Sequence, residues 1–301
     1  MKSIAKLLTA LAVASAGLPA AAALNVFACE PEWGSLVQEL AGDKAAVFAA
    51  TTALQDPHRI EARPSLIARI RSADLVVCSG ADLEAGWLPL LLTQSGNAKI
   101  QPGSPGFLEA SQFVARLEIP KVLDRALGDI HPGGNPHIHL DPRNIARVAE
   151  VITERISQLD PSNAADYRAR AGAFQQRWQS AMQRWEQHAA PLKGIPIVVH
   201  HKDNLYFIRW LGLREAGSLE PKPGIPPTPA HLAQLLERMK REPAKVIVYS
   251  AYASPKAAEF LSERSGIPAL MLPYTVGGSD AARDLFGLFD DSIKRLLAAV
   301  K

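Results

Sequence analysis

Residues 163–190 read NAADYRARAGAFQQRWQSAMQRWEQHAA, and this stretch decides the architecture. Tyr167, Phe174, Trp178, Met182 and Trp185 recur at helical spacing on one stripe, with few breakers between them. Large aromatic and thioether side chains in that pattern are a core face rather than a cofactor box. A helix from about Asn163 to Ala190 is therefore expected, long enough to bridge two lobes as one stiff rod. Just upstream, Asp141-Pro142 opens another helical stretch. Ile145, Val148, Ile152, Ile156 and Leu159 follow at three- and four-residue spacing, and Asp160-Pro161 closes it.

On the amino-terminal side of this pair, Asn25 to Cys29 and Leu75 to Ser79 read as short apolar strands. Gly34 to Leu40 and Ser65 to Ser72 carry helical spacing between them. Beyond Gly194 the alternation resumes, with strands at Ile195 to His200, Lys245 to Tyr249 and Ala269 to Leu272, and helices at Leu205 to Leu211 and Ala257 to Ser265. Strands alternating with helices imply parallel sheets. The expected fold class is α/β: two lobes, each a parallel sheet flanked by helices, covering 24–162 and 191–301 and joined by one long linking helix at 163–190. Five prolines between Pro221 and Pro229 exclude regular structure there and mark an ordered loop on the surface or at the cleft.

The first 23 residues read as a secretory signal peptide: Lys2 and Lys6 precede an apolar run from Leu7 to Leu18 and the small residues Ala20 to Ala23. A periplasmic location follows, and with Leu24 rather than cysteine after the cleavage point, no lipid anchor is expected. The formal net charge of +3 includes Lys2 and Lys6, so the remainder is nearly balanced and carries no basic footprint for nucleic acid. Cys29 and Cys78 are the two cysteines. In an oxidising compartment two cysteines more often form a bridge than a metal site, and neighbouring strands would bring these two together.

Three histidines stand where a strand or loop stops: Asp56-Pro57-His58, Asn135-Pro136-His137 and Val199-His200-His201. Such places present a ring nitrogen at the rim of a sheet with rigid backbone behind it. The chain has no His-Glu-x-x-His, no paired Cys-x-x-Cys and no EF-hand loop, so any site must be assembled from distant segments. His131, His139 and His200 lie beside these candidates as secondary residues, while His188 and His231 have no supporting context. Glu61, Glu30 and Glu32 are acids that a cleft could use.

Taken in order, several segments resemble the metal-binding substrate-binding proteins of ABC transporters, the zinc- and manganese-uptake group. They are Asp56-Pro57-His58 with Arg63-Pro64-Ser65, the run from Ala73 to Glu84, Asn135-Pro136-His137-Ile138-His139-Leu140-Asp141-Pro142, and His201 with Tyr206-Phe207 and Leu211-Gly212-Leu213. The resemblance implies a metal held between the lobes by His58, His137 and His201. It also implies a carboxylate near Leu272 to Asp280, where Asp280 is the nearest candidate and Tyr274, Thr275 or a water are the alternatives. The implied partners are an ABC transporter membrane permease, zinc itself and a periplasmic metallochaperone, and a monomer is expected. Three imidazoles with at most one carboxylate suit Zn2+, the transported ligand, better than manganese, which favours oxygen. Two rival readings use the same residues: a zinc hydrolase with Glu61 as its base, and a surface adhesin in which the histidines are incidental.

Overall fold

The computed structural model describes residues 23–122, 124, 128 and 130–301; all but the last residue of the signal peptide read at 1–23 lies outside them. Two parallel four-stranded sheets form the frame. The first runs β2-β1-β3-β4, with β1 Leu24–Ala28, β2 Ala45–Ala49, β3 Leu75–Cys78 and β4 Phe107–Glu109. The second repeats that order as β6-β5-β7-β8, with β5 Pro196–Val199, β6 Arg214–Ser218, β7 Val246–Ser250 and β8 Ala269–Leu272.

Strands β3 (Leu-Val-Val-Cys) and β5 are continuous apolar runs because both faces of each sheet are covered. Val26 and Ala28 point into one core and Phe27 into another, as the two-residue period of a strand demands. In the first lobe the crossovers are α1 Pro31–Ala41, α2 Pro64–Arg71 and α3 Leu88–Ser95. Then come α4 Pro142–Leu159 and the long α5 Ala164–Ala189. In the second lobe the crossovers are α6 Leu205–Leu211, α7 Pro229–Arg241 and α8 Lys256–Ser265, and α9 Leu285–Ala299 returns to pack on α5. Strands β2, β4 and β6 and helices α3, α7 and α9 add to what the sequence pattern marked.

The aromatic stripe of α5 is core, as its spacing requires. Phe174 and Trp178 stack at 5.3 Å, the Trp178 indole donates to the Pro142 carbonyl at 2.7 Å, and the Trp185 indole donates to Asp290 at 2.6 Å. One apolar cluster runs through Val26, Ala28, Leu75 and Val77 of the first sheet, along α4, α5 and α9, to Ile197, Val199, Val246 and Val248 of the second. The lobes thus share a continuous core and not merely a tether. Cys29 and Cys78 extend the register in which Ala28 faces Val77, and they are bridged with Cα atoms 4.8 Å apart. Among the described residues no helix is long and apolar enough to cross a membrane.

Candidate metal centre

The carboxyl ends of both sheets face one cleft, the place where open α/β sheets bind ligands. Two of the three candidate histidines enter it on the same local device. In Asp56-Pro57-His58 the Asp56 side chain accepts from the His58 N–H at 3.0 Å, and in Asn135-Pro136-His137 the Asn135 side chain accepts from the His137 N–H at 3.0 Å. An Asx residue that bonds the backbone two positions on, with proline fixing φ between, makes a stiff turn that aims the third side chain. The first turn is pinned from behind by the buried Trp87 indole, which donates to the Pro57 carbonyl at 3.0 Å. The second is pinned across the lobes, where the Tyr206 hydroxyl donates to the Asn135 carbonyl at 2.9 Å. His201 lies two residues past the end of β5 and opens the short turn Lys202–Asn204.

The three rings form a nearly equilateral triangle. Their centroids are 5.3 Å apart for His58 and His137, 5.7 Å for His58 and His201, and 5.8 Å for His137 and His201, each pair close to perpendicular. One ligand nitrogen from each ring lies within 4.8 Å of the other two. All three Nδ1 atoms are held from behind: His58 by Asp56 at 2.7 Å, His137 by the Tyr274 hydroxyl at 2.8 Å, and His201 by Glu220 at 2.7 Å. With each Nδ1–H donating outward, each Nε2 keeps a lone pair for the cleft, the arrangement that metal-ligating histidines commonly share. The buried Nε2 of His137 has no hydrogen-bond partner among the described residues.

Charge follows the same plan. Burial, aided by repulsion from the rings of His58, His201, His131 and His139, holds His137 well below the ordinary histidine value, so it is neutral at neutral pH. For His201 burial opposes the charged form, but the Glu220 hydrogen bond and the charges of Asp203, Glu220 and Asp56 outweigh it and raise the value. At Asp56 burial is likewise outweighed, here by the hydrogen bonds and charge of His58, and its carboxyl sits below the usual range.

Behind the triangle lies a second, wholly buried polar layer. His139 donates through Nε2 to the Tyr274 carbonyl at 2.9 Å, and its other nitrogen lies 3.1 Å from Glu32 but off hydrogen-bond geometry. Glu32 also takes the Thr275 hydroxyl, so the first lobe's helix α1 meets the loop after β8. Glu30 packs near Glu84. Burial, with repulsion from Glu84 and Glu32, raises the Glu30 carboxyl well above its ordinary value, and burial pushes Glu84 up to about 7. Cys29, Cys78 and Glu84 form a compact group as well, but the bridge consumes both thiols and leaves no thiolate to ligate.

Asp280 does not join the triangle. It is exposed on the loop after β8, its carbonyl accepting from Arg283, and the same loop instead sends Tyr274 to the back of His137 and Thr275 to Glu32. Glu61 is exposed and holds no ring; Asp56 does that work for His58. Glu30 and Glu32 are buried behind the site rather than lining the cleft. The segment Ile138–Leu140 is a tight 3-10 turn and not extended, yet His139 still faces away from the cleft. His231 is half-buried and bonds the Ser218 carbonyl at 2.9 Å, where the sequence offered it no context. Sequence reading passed over Asp56 and Glu220 as ring holders, although Asp56 stands inside the turn motif itself.

The family model described as ZnuA, zinc-uptake complex component A, periplasmic, matches residues 26–299. The zinc-binding lipoprotein AdcA of Streptococcus pneumoniae is 25% identical over 76% of the chain, which spans about half of that relative's length (46%). The high-affinity zinc uptake system protein ZnuA of Bacillus subtilis is 25% identical over 88% of the chain and 82% of its own length. The manganese-binding lipoprotein MntA of Halalkalibacterium halodurans is 22% identical over 80% of the chain and 76% of its own length. A crystal structure of ZnuA superposes with a TM-score of 0.78 over 93% of the chain and all of that structure, at 24% identity, and confirms the fold. Matched along nearly its whole described length, the chain belongs to the ZnuA family of periplasmic zinc-uptake components.

Proposed function

We propose that this protein, exported to the periplasm with loss of residues 1–23, captures Zn2+ between its lobes on His58, His137 and His201 and gives it up to an ABC importer. The observation that carries the reading is the His137 Nε2 atom: buried, neutral and unpartnered among the described residues, it faces two further imidazoles whose Nδ1 atoms are likewise held. An unmet buried acceptor costs about 1–3 kcal/mol, and a bound cation removes that cost. Zinc is favoured over manganese by the donors themselves. Asp56 and Glu220 are both turned to Nδ1 atoms and the group within ligand distance is three imidazoles, so nitrogen rather than oxygen faces the ion.

The protein performs no chemistry on this reading. A hydrolase would need a base beside the open position, and Glu61 is on the surface. The deciding experiment is metal content and zinc titration of chelator-stripped protein beside His201→Ala. One tight zinc per chain, lost in the variant, supports capture; a parent with no tight site ends the metal and transport assignments together.

A further inference from the structure

A tetrahedral zinc ion needs a fourth donor, and beside His58 the structure holds one more imidazole, His131, just outside the three nitrogens that lie within 4.8 Å of one another. The Nε2 atoms of His131 and His58 are 3.2 Å apart, their rings tilted with centroids 5.2 Å apart. Zinc to imidazole bonds of about 2.0–2.1 Å, at the tetrahedral angle, place neighbouring donor nitrogens about 3.3 Å apart. The His58 and His131 pair already has the edge length of a zinc tetrahedron. His131 also faces His137, with ring centroids 6.4 Å apart and planes nearly perpendicular, and it lines a cleft of about 270 Å³ together with His137 and His201.

We infer that His131 is the fourth zinc ligand, closing a four-imidazole site as a lid over the triangle; this rests on the capture reading above. The backbone around His131 is built to deliver it. Residues 131–134 form a turn in which the Gly134 N–H donates to the His131 carbonyl at 3.0 Å. Gly133 also donates to the Asp82 side chain at 3.3 Å. A Cβ on Gly133 would lie 3.0 Å from the Ala81 backbone, and one on Gly134, at φ +93°, would meet the Leu117 carbonyl at 2.9 Å. The turn is therefore seated against the first lobe, while Asn135 ties its far end to the Lys202 carbonyl of the second at 2.9 Å.

The test uses the mature protein with ¹⁵N-labelled histidine, observed by long-range ¹H–¹⁵N correlation before and after one equivalent of zinc, alongside His131→Ala. Four rings are expected to become metal-bound in the parent and three in the variant. A competition titration should show zinc binding weakened by at least the ~10–100-fold that lost support of a ligand commonly costs. A parent in which zinc leaves the His131 ring unchanged while three rings shift overturns this assignment alone. A parent in which no ring shifts overturns it together with the capture reading.

Discussion

Tyr274→Phe isolates one hydrogen bond at the heart of the site. The Tyr274 hydroxyl is 2.8 Å from His137 Nδ1, and both side chains are almost wholly buried, at 2% and 1% exposure. The phenylalanine ring preserves the perpendicular contacts with His139, at 5.0 Å, and Tyr252, at 5.1 Å, so packing is retained. What is lost is the acceptor for the Nδ1 proton of His137. Leaving that donor buried without a partner costs about 1–3 kcal/mol in the metal-free protein. The ring is also freed to take the other tautomer, with its proton on Nε2 and no lone pair for the ion. Loss of such a partner commonly weakens metal binding by ~10–100-fold, about 1.4–2.7 kcal/mol. A zinc titration against a chromophoric chelator, with thermal melts of the metal-free forms, reads both quantities. A variant whose affinity and melting temperature match the parent would refute the claim that Tyr274 sets the state of His137.

The pH dependence turns on His201, whose value is raised by Glu220, Asp203 and Asp56 against the pull of burial. Zinc needs the neutral ring, so affinity is full above that raised value and is lost as pH falls through it, beginning above the ordinary histidine value of about 6.5. Glu220→Gln should move the loss to lower pH, measured as zinc affinity between about pH 5 and 8; an unchanged profile would contradict the role of Glu220. Asp280→Ala should leave zinc affinity within about twofold of the parent, since the side chain is exposed and outside the triangle, and a loss of about tenfold would restore it as a ligand. The bridge between Cys29 and Cys78 closes a separation of 49 residues, for which chain entropy gives about 4 kcal/mol. Cys29→Ser with Cys78→Ser should lower the chemical-denaturation midpoint accordingly while zinc content stays at the parent level.

The sequence carried the frame well because its signals were local. The α5 stripe and the α4 repeat each declare a buried face by spacing alone, and both helices fall within one or two residues of the expected bounds. Strand β6, Arg-Glu-Ala-Gly-Ser, was illegible because an edge strand with one partner needs little apolar content. Helix α7 was hidden behind the proline run, although Thr228 caps it by accepting from the His231 N–H and Pro229 opens it. At the site, His58 and His137 were marked by turn chemistry written into consecutive residues, and His201 by its place at the end of an apolar strand. Their supports were not: Glu220 lies 19 residues from His201 and Tyr274 lies 137 from His137, separations that only the completed fold brings together.

The shared core bears on how a metal reaches such a site. Swinging the lobes apart would expose Val26, Ala28, Leu75 and Val77 on one side and Ile197, Val199, Val246 and Val248 on the other, all packed with α5 in one cluster. At about 25 cal/mol per Å² of apolar surface, uncovering even ~400 Å² costs ~10 kcal/mol, comparable to the whole stability of a typical domain. The buried layer behind the rings adds to that resistance, since Glu32 of α1 is joined to Thr275 and His139 to the Tyr274 carbonyl. On the solvent side His131 and Pro223 line the same cleft, and the ring of His131 is only partly buried. The physical asymmetry is therefore between a back locked by the shared core and the buried polar layer and a front where the cleft opens to solvent beside His131. For such a site, opening the solvent side uncovers far less apolar surface than parting the lobes.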